Sequence, residues 1–420
     1  MSSSQRSQWP VWLCWLAMVL DGFDLVVLGT VIPTLIKTGE LGFDAVGATF
    51  AATISLVGVG LGALFIAPLS DKFGRRKLLI ACVAGFSLFT IAVAFAPNVA
   101  VFAVFRLLAG LGLGACLPAA LAYMNDYAPA GSAGKSTTRT MTGYHVGAVL
   151  TSSLAILIIP NWRLMFIIGG LAGIALLPFL WLKLPESLPE AARPQVSKEA
   201  TPASGVVRTA EAAPKTGFRD LLRKPYPLVA VGIGIASFMG LLLVYGLNTW
   251  LPQIMAAAGY SVSTGLTLLL VLNVGAVVGL VLAGILADRH GTKKIVLLWF
   301  GLSAVLLAIL SVKIQSELLL NAAVFVTGVF VFSSQVLVYA WVSQLFPANL
   351  RGTALGFAAG VGRLGAILGP AVTGTLVAAK IVYPAGFYVF ASAGVLAVAA
   401  LLLVPSRVRE EKVTVPAGER

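Results

Sequence analysis

Charge is the scarcest property of this chain: charged side chains make up 11% of its 420 residues, against roughly 25% in an average soluble domain. So few cannot cover a globular fold of this size with water-facing groups, which excludes a soluble protein and leaves lipid as the main solvent. Histidine is nearly missing. His145 and His290 stand apart from each other, so a histidine-built metal site is not expected. The three cysteines, Cys14, Cys82 and Cys116, each fall in an apolar stretch without C-x-x-C spacing, which leaves neither a disulfide framework nor a thiolate metal centre. G-x-S-x-G and H-E-x-x-H are both missing. An enzyme embedded in the membrane therefore has no constellation to work with, and no cofactor is expected.

Apolar residues fill the space instead, at 59% of the chain and a mean hydropathy of +0.96. A helical span needs about 20 apolar residues, and that length predicts twelve: 11–36, 46–70, 77–96, 99–124, 139–160, 164–184, 226–257, 263–287, 294–313, 317–340, 352–380 and 384–404. The fold class is thus an all-α polytopic membrane protein. The first run is too long and too interrupted by acids for a cleavable signal, so it is read as the first helix. Cytoplasmic loops keep an excess of Lys and Arg. With the N-terminus inside, Lys37, Arg163, Lys313 and Lys380 fall outside, Arg106 and Arg363 lie in the membrane, and the other 23 of the 29 cations collect inside. The net charge of +13 is then topological, and no nucleic-acid partner is expected.

The stretch "PESLPEAARPQVSKEATPASGVVRTAEAAPKTGFRD" breaks the run of spans with Pro, Ala, Ser and mixed charge, the composition of a tether with little fixed structure. It divides the chain into a six-helix unit over 1–184, a cytoplasmic linker over 185–225, a second six-helix unit over 226–405 and a cytoplasmic tail over 406–420. A repeat supports this. "APLSDKFGRRK" follows the second span and "AGILADRHGTKK" the eighth, so Asp71 and Asp288 are each followed by glycine, Gly74 or Gly291, and then by basic residues. Recurrence at equivalent places points to duplication.

"SDKFGRRK" resembles the signature of the major facilitator superfamily between helices 2 and 3, although the signature's leading glycine is Ala67 here, a change expected to loosen packing between helices 2 and 11; the second copy keeps Gly284. "RLLAGLGLGACLP" is similar to the superfamily's helix-4 motif, with Gly110, Gly112 and Gly114 following Arg106. "DGFD", with "NDYAP", "YGLNTWLPQIM", "QLFPANLRGTALG" and "GVGRLGAILGP", is similar to the aromatic acid:proton symporter family, whose members import benzoate-like and hydroxybenzoate-like carboxylates. That family usually has Glu at Asp126. The resemblance implies two pseudo-symmetric six-helix bundles, a monomer in the cytoplasmic (inner) membrane with both termini cytoplasmic, and proton-coupled uptake of an aromatic carboxylate such as benzoate, hydroxybenzoate or gentisate by alternating access. Its conformational residues would be Asp71, Gly74, Arg75, Arg76, Arg106, Asp126, Asp288 and Arg351. A symporter of non-aromatic organic acids and a drug–proton antiporter are the alternatives.

Two acids at mid-membrane need a reason, since each costs about 2.5–3.5 kcal/mol on insertion scales. Asp21 and Asp24 lie three residues apart, about 4.5 Å along a helix axis, and two neighbouring carboxylates in a low-dielectric cavity do not both ionise easily. They are the candidate proton site; the competing reading makes one of them a structural partner for Arg106 or Arg363. Arg363 is the candidate host for a substrate carboxylate, because guanidinium binds carboxylate through two parallel hydrogen bonds. Phe23, Tyr144, Phe238, Tyr245 and Tyr339 are candidate ring contacts, and His145, Asn248 and Gln335 candidate partners for ring hydroxyls. Each of these could equally be packing. Trp250 and Trp341, near span ends, fit interfacial anchors better.

Overall fold

In the computed structural model, residues 9–127, 133–185, 221 and 226–405 are described, with side chains described except at 71, 122, 125–127, 133–141, 348 and 349. Twelve long helices make up these residues: α1 Trp9–Thr38, α2 Ala45–Leu61, α3 Arg75–Val93, α4 Val99–Tyr127, α5 Ala133–Ile158, α6 Trp162–Lys183, α7 Pro227–Ala257, α8 Val262–His290, α9 Thr292–Leu310, α10 Glu317–Leu345, α11 Ala348–Ala378 and α12 Val382–Leu402. Eleven are apolar over a full membrane-crossing length, and α5 adds the shorter apolar stretch Thr142–Ile158. Most of the expected linker and all of the expected tail lie outside the described residues.

The span expected over 46–70 is not one α-helix. After Leu61 the chain widens into a π turn over Gly62–Ile66 and resumes as a short helix over Leu69–Phe73. Pro68 explains the change: it lacks an N–H and its ring crowds the carbonyl four residues back, so Ala67 donates to the Gly62 carbonyl at 2.9 Å instead, a five-residue step.

The first six helices and the last six pair in the same pattern. α1 packs on α5, α2 on α4, α3 on α4 and α6, and α1 on α6; correspondingly α7 packs on α11, α8 on α10, α9 on α10 and α12, and α7 on α12. In lipid the hydrophobic effect does not drive helices together, so close packing through small residues carries the fold. A Cβ added at Gly22 would meet the Tyr144 backbone, one at Gly114 the Val59 carbonyl, one at Gly365 the Phe238 carbonyl and one at Gly328 the Leu272 carbonyl. The glycines of the α4 motif thus serve two partners: Gly110 and Gly114 face α2, whereas Gly112 faces α3 at Cys82 and Phe86. Large apolar side chains such as Leu157 and Leu318 stay exposed on the outer surface, as a lipid-facing surface requires.

The duplicated turn has nearly the same geometry in its two copies. Gly74 has φ 91° and ψ 141°, and Gly291 has φ 90° and ψ 133°, a region that L side chains rarely adopt. The two halves meet through α1 with α7, α2 with α11, and α5 with α8. Two of these seams close at the end of the bundle opposite the start of α1. There a Cβ at Gly29 would strike the Asn248 carbonyl, and one at Gly374 would strike Thr49. At the other end Asp288 and Arg351 are exposed.

Candidate functional site

The two acids of α1 have different surroundings. Gly22, between them, lets α1 lie directly on the backbone of α5 at Tyr144. Both carboxylates are buried, Asp21 at 3% and Asp24 at 2% exposure. Asp24 accepts from the Arg106 guanidinium through one oxygen and from the Thr90 hydroxyl through the other. Arg106, 1% exposed, also donates to the Asp24 backbone carbonyl at 3.1 Å and to Ser55 Oγ at 3.1 Å, and its charge sits 6.0 Å from the Phe166 ring centroid. Four helices, α1 to α4, are tied together by this one neutral cluster.

Replacing one member of such a pair leaves the other charge buried and uncompensated, at a cost of about 3–5 kcal/mol, whereas replacing both with apolar groups costs far less. Asp24→Asn is therefore expected to lower the unfolding temperature of the detergent-solubilised protein clearly, and an Asp24→Leu/Arg106→Leu pair to recover part of the loss. A wild-type melting curve for Asp24→Asn would show that the pair carries no stability.

Among the described residues Asp21 has no such partner. Its Oδ1 is buried without a hydrogen bond, and the cation within its electrostatic reach is Arg363, in the other half of the molecule. Arg363 is half-buried, donates to the Tyr245 hydroxyl at 3.2 Å, and has Tyr339 beside it; it makes no ion pair among the described residues. Tyr144 completes the group, close to Tyr245, Asp21 and Arg363. The structure thus brings together Asp21, Tyr144, Tyr245, Tyr339 and Arg363 from α1, α5, α7, α10 and α11. A guanidinium with an uncommitted face, ringed by three phenols and facing one acid, can hold an organic carboxylate and exchange it against that acid.

Other sequence candidates lie around this group. Gln335 is 4% exposed, packs against Gly240, and lies within hydrogen-bonding reach of the Tyr339 hydroxyl. His145 is buried between the Tyr144 and Phe332 rings, with centroids 5.2 Å and 5.8 Å away, and its Nδ1 has no partner. Asn248 accepts from Asn273 Nδ2 at 3.1 Å. Phe23 points elsewhere: its ring covers Gly169 of α6, because a two-residue step turns it about 200° around α1 from Asp21. Phe238 is half-buried in α7 with its carbonyl against Gly365. Trp250 donates to the Pro370 carbonyl at 2.9 Å, and Trp341 packs near Lys293; both are buried.

Among the conformational candidates, Arg76 donates to the Trp181 carbonyl at 2.5 Å. Asp288 and Arg351 make no ion pair among the described residues, and the side chains of Asp71 and Asp126 lie outside them. Sequence reasoning missed Thr90, Ser55 and Asn273. The signal for Asn273 was present, since an isolated amide in "LVLNVGAVVG" has no reason to sit in an apolar span unless something binds it.

The chain as a whole resembles several known proteins. The model of the Major Facilitator Superfamily matches residues 14–282 and 268–420. The chain is 36% identical to the gentisate transporter of Corynebacterium glutamicum, over 95% of this chain and 87% of that protein. It is 31% identical to the benzoate transport protein of Acinetobacter baylyi, over 93% and 88%. In structure it resembles a D-xylose–proton symporter, with a TM-score of 0.75 at 18% identity, over 94% of this chain and 97% of that one.

Proposed function

The chain belongs to the major facilitator superfamily and, within it, to the aromatic acid transporters, and we propose that it imports a benzoate-type anion together with protons by alternating access. The observation that carries this reading is the half-buried Arg363, held by Tyr245 and opposed across the two halves by Asp21. In the empty carrier Asp21 is the carboxylate that faces Arg363. An arriving substrate carboxylate takes over the guanidinium, and Asp21, no longer balanced, takes up a proton. Anion and proton then cross together.

Electrical considerations favour this coupling. Drawing an anion inward against an inside-negative potential costs about 2.3 kcal/mol per 100 mV, and one accompanying proton cancels that term. Further protons make uptake electrically favourable. Asp24, the other candidate proton carrier, takes part through its pair with Arg106, which fixes α1 within the first half.

The excess of cations at the end where α1 begins supports placing that end and both termini on the cytoplasmic side of the inner membrane, where the protein is read as a monomer. Closure at Gly29 and Gly374, with Asp288 and Arg351 exposed at the opposite end, then corresponds to an inward-facing state. The six-helix units over 1–184 and 226–405 rock about the central site, with the linker over 185–225 as tether and 406–420 as tail. Asp71, Gly74, Arg75, Arg76, Asp126, Asp288 and Arg351 are the groups that meet across the cytoplasmic end in the outward-facing state.

The test is uptake of labelled benzoate into proteoliposomes under an inward proton gradient. Accumulation that collapses with a protonophore, and that gentisate or hydroxybenzoates displace, is expected. Equal displacement by saturated-ring carboxylates would favour a broader organic acid symporter, and export driven by the same gradient would favour an antiporter.

A further inference from the structure

One turn along α7 from Tyr245, toward the closed end, stands an amide pair that the proton and carboxylate chemistry does not use. Asn273 Nδ2 donates both to Asn248 Oδ1, at 3.1 Å, and to the Leu269 carbonyl, at 3.0 Å. Its donors are therefore spent. Asn273 Oδ1 and Asn248 Nδ2 are left buried without partners, in side chains 0% and 3% exposed. The Leu269 carbonyl can only accept, so it fixes the orientation of Asn273 and, through their shared bond, that of Asn248. Each such group costs about 1–3 kcal/mol if it stays unsatisfied in a buried site, so the pair calls for a ligand that donates and accepts at once. A phenolic hydroxyl does both; hydrogen, methyl and halogen substituents do not.

Position narrows the choice. Asn248 lies three residues beyond Tyr245, about 4.5 Å along the helix axis and on nearly the same face, which is the scale of one aromatic ring. With the ring lying along α7, a carboxylate on Arg363 and Tyr245 would bring a meta or para hydroxyl toward Asn248 and leave a hydroxyl next to the carboxylate with the tyrosines. Gly29 presses α1 against the Asn248 backbone, fixing the amide from behind. On the reading that Arg363 binds an aromatic carboxylate, we infer that Asn248 and Asn273 form a subsite for a ring hydroxyl at the meta or para position, making this transporter selective for such hydroxybenzoates over benzoate.

A site built to bond a hydroxyl rejects the analogue without it, because its own polar groups are then left bare. Displacement of labelled 3-hydroxybenzoate from the purified full-length protein by benzoate and by 2-, 3- and 4-hydroxybenzoate tests this. The 3- or 4-isomer is expected to bind about 10-fold or more tightly than benzoate, and the 2-isomer to group with benzoate. Asn273→Leu is expected to shrink that ratio by about the same factor, with Asn273→Ser as a smaller change that keeps a polar group. A wild-type protein that binds benzoate as tightly as every hydroxybenzoate overturns the subsite without any variant, as does a ratio unchanged in Asn273→Leu. If no aromatic acid binds at all, the aromatic acid reading itself has failed.

Discussion

Arg363→Ala is expected to weaken benzoate binding by roughly 30-fold to more than 10³-fold. Truncating one partner of a buried, hydrogen-bonded charge pair costs about 2–5 kcal/mol, and each 1.4 kcal/mol is a factor of ten in Kd. Nothing else in the group takes its place: Tyr245, Tyr144 and Tyr339 offer neutral hydroxyls, and Arg106 is committed to Asp24. Arg363→Lys keeps the charge but loses the planar fork and the geometry toward Tyr245, so it falls between wild type and Ala. Equilibrium binding to the purified protein reads this directly. An unchanged Kd in Arg363→Ala would remove the residue from the site.

Asp21→Asn is expected to separate binding from accumulation. The amide keeps the size of the carboxylate and relieves Arg363 of competition, so substrate binds as well as before and exchanges across the membrane down its own gradient. Concentrative uptake under a proton gradient is lost. Counterflow and gradient-driven uptake in the same vesicles distinguish the two. A variant that still concentrates benzoate on acidification of the outside would show that the proton rides elsewhere. Asp24 makes the control, since its loss acts first on the stability of the first half.

The helical spans and the duplicated turn were legible in the sequence because lipid imposes length and apolarity on every helix and a repeated motif marks equivalent places in the chain. The DGFD acids and the two membrane arginines were legible as well, since charge at that depth stands out against its neighbours. Which acid meets which arginine was not. Asp24 and Arg106 come from α1 and α4, and the rotation of each helix is set by its crossing with a third, α1 on α5 at Gly22 and α4 on α2 at Gly58 and Gly110, not by any local pattern. Phe23 shows the opposite case: its angular distance from Asp21 on α1 was enough to place it on the α6 side. Thr90 and Ser55 carried no signal, since a lone hydroxyl in a membrane helix more often bonds back to its own backbone, as Thr151 and Ser152 do here.

Where α1 crosses α7, Gly29 lies directly on the Asn248 carbonyl, and where α2 crosses α11, the Thr49 side chain seats in the notch that Gly374 leaves. Contacts made by backbone and one short side chain leave few rotamers to rearrange when they part. On the inward-facing reading these two crossings are the outer gate, and parting them frees one small side chain rather than a row of large ones.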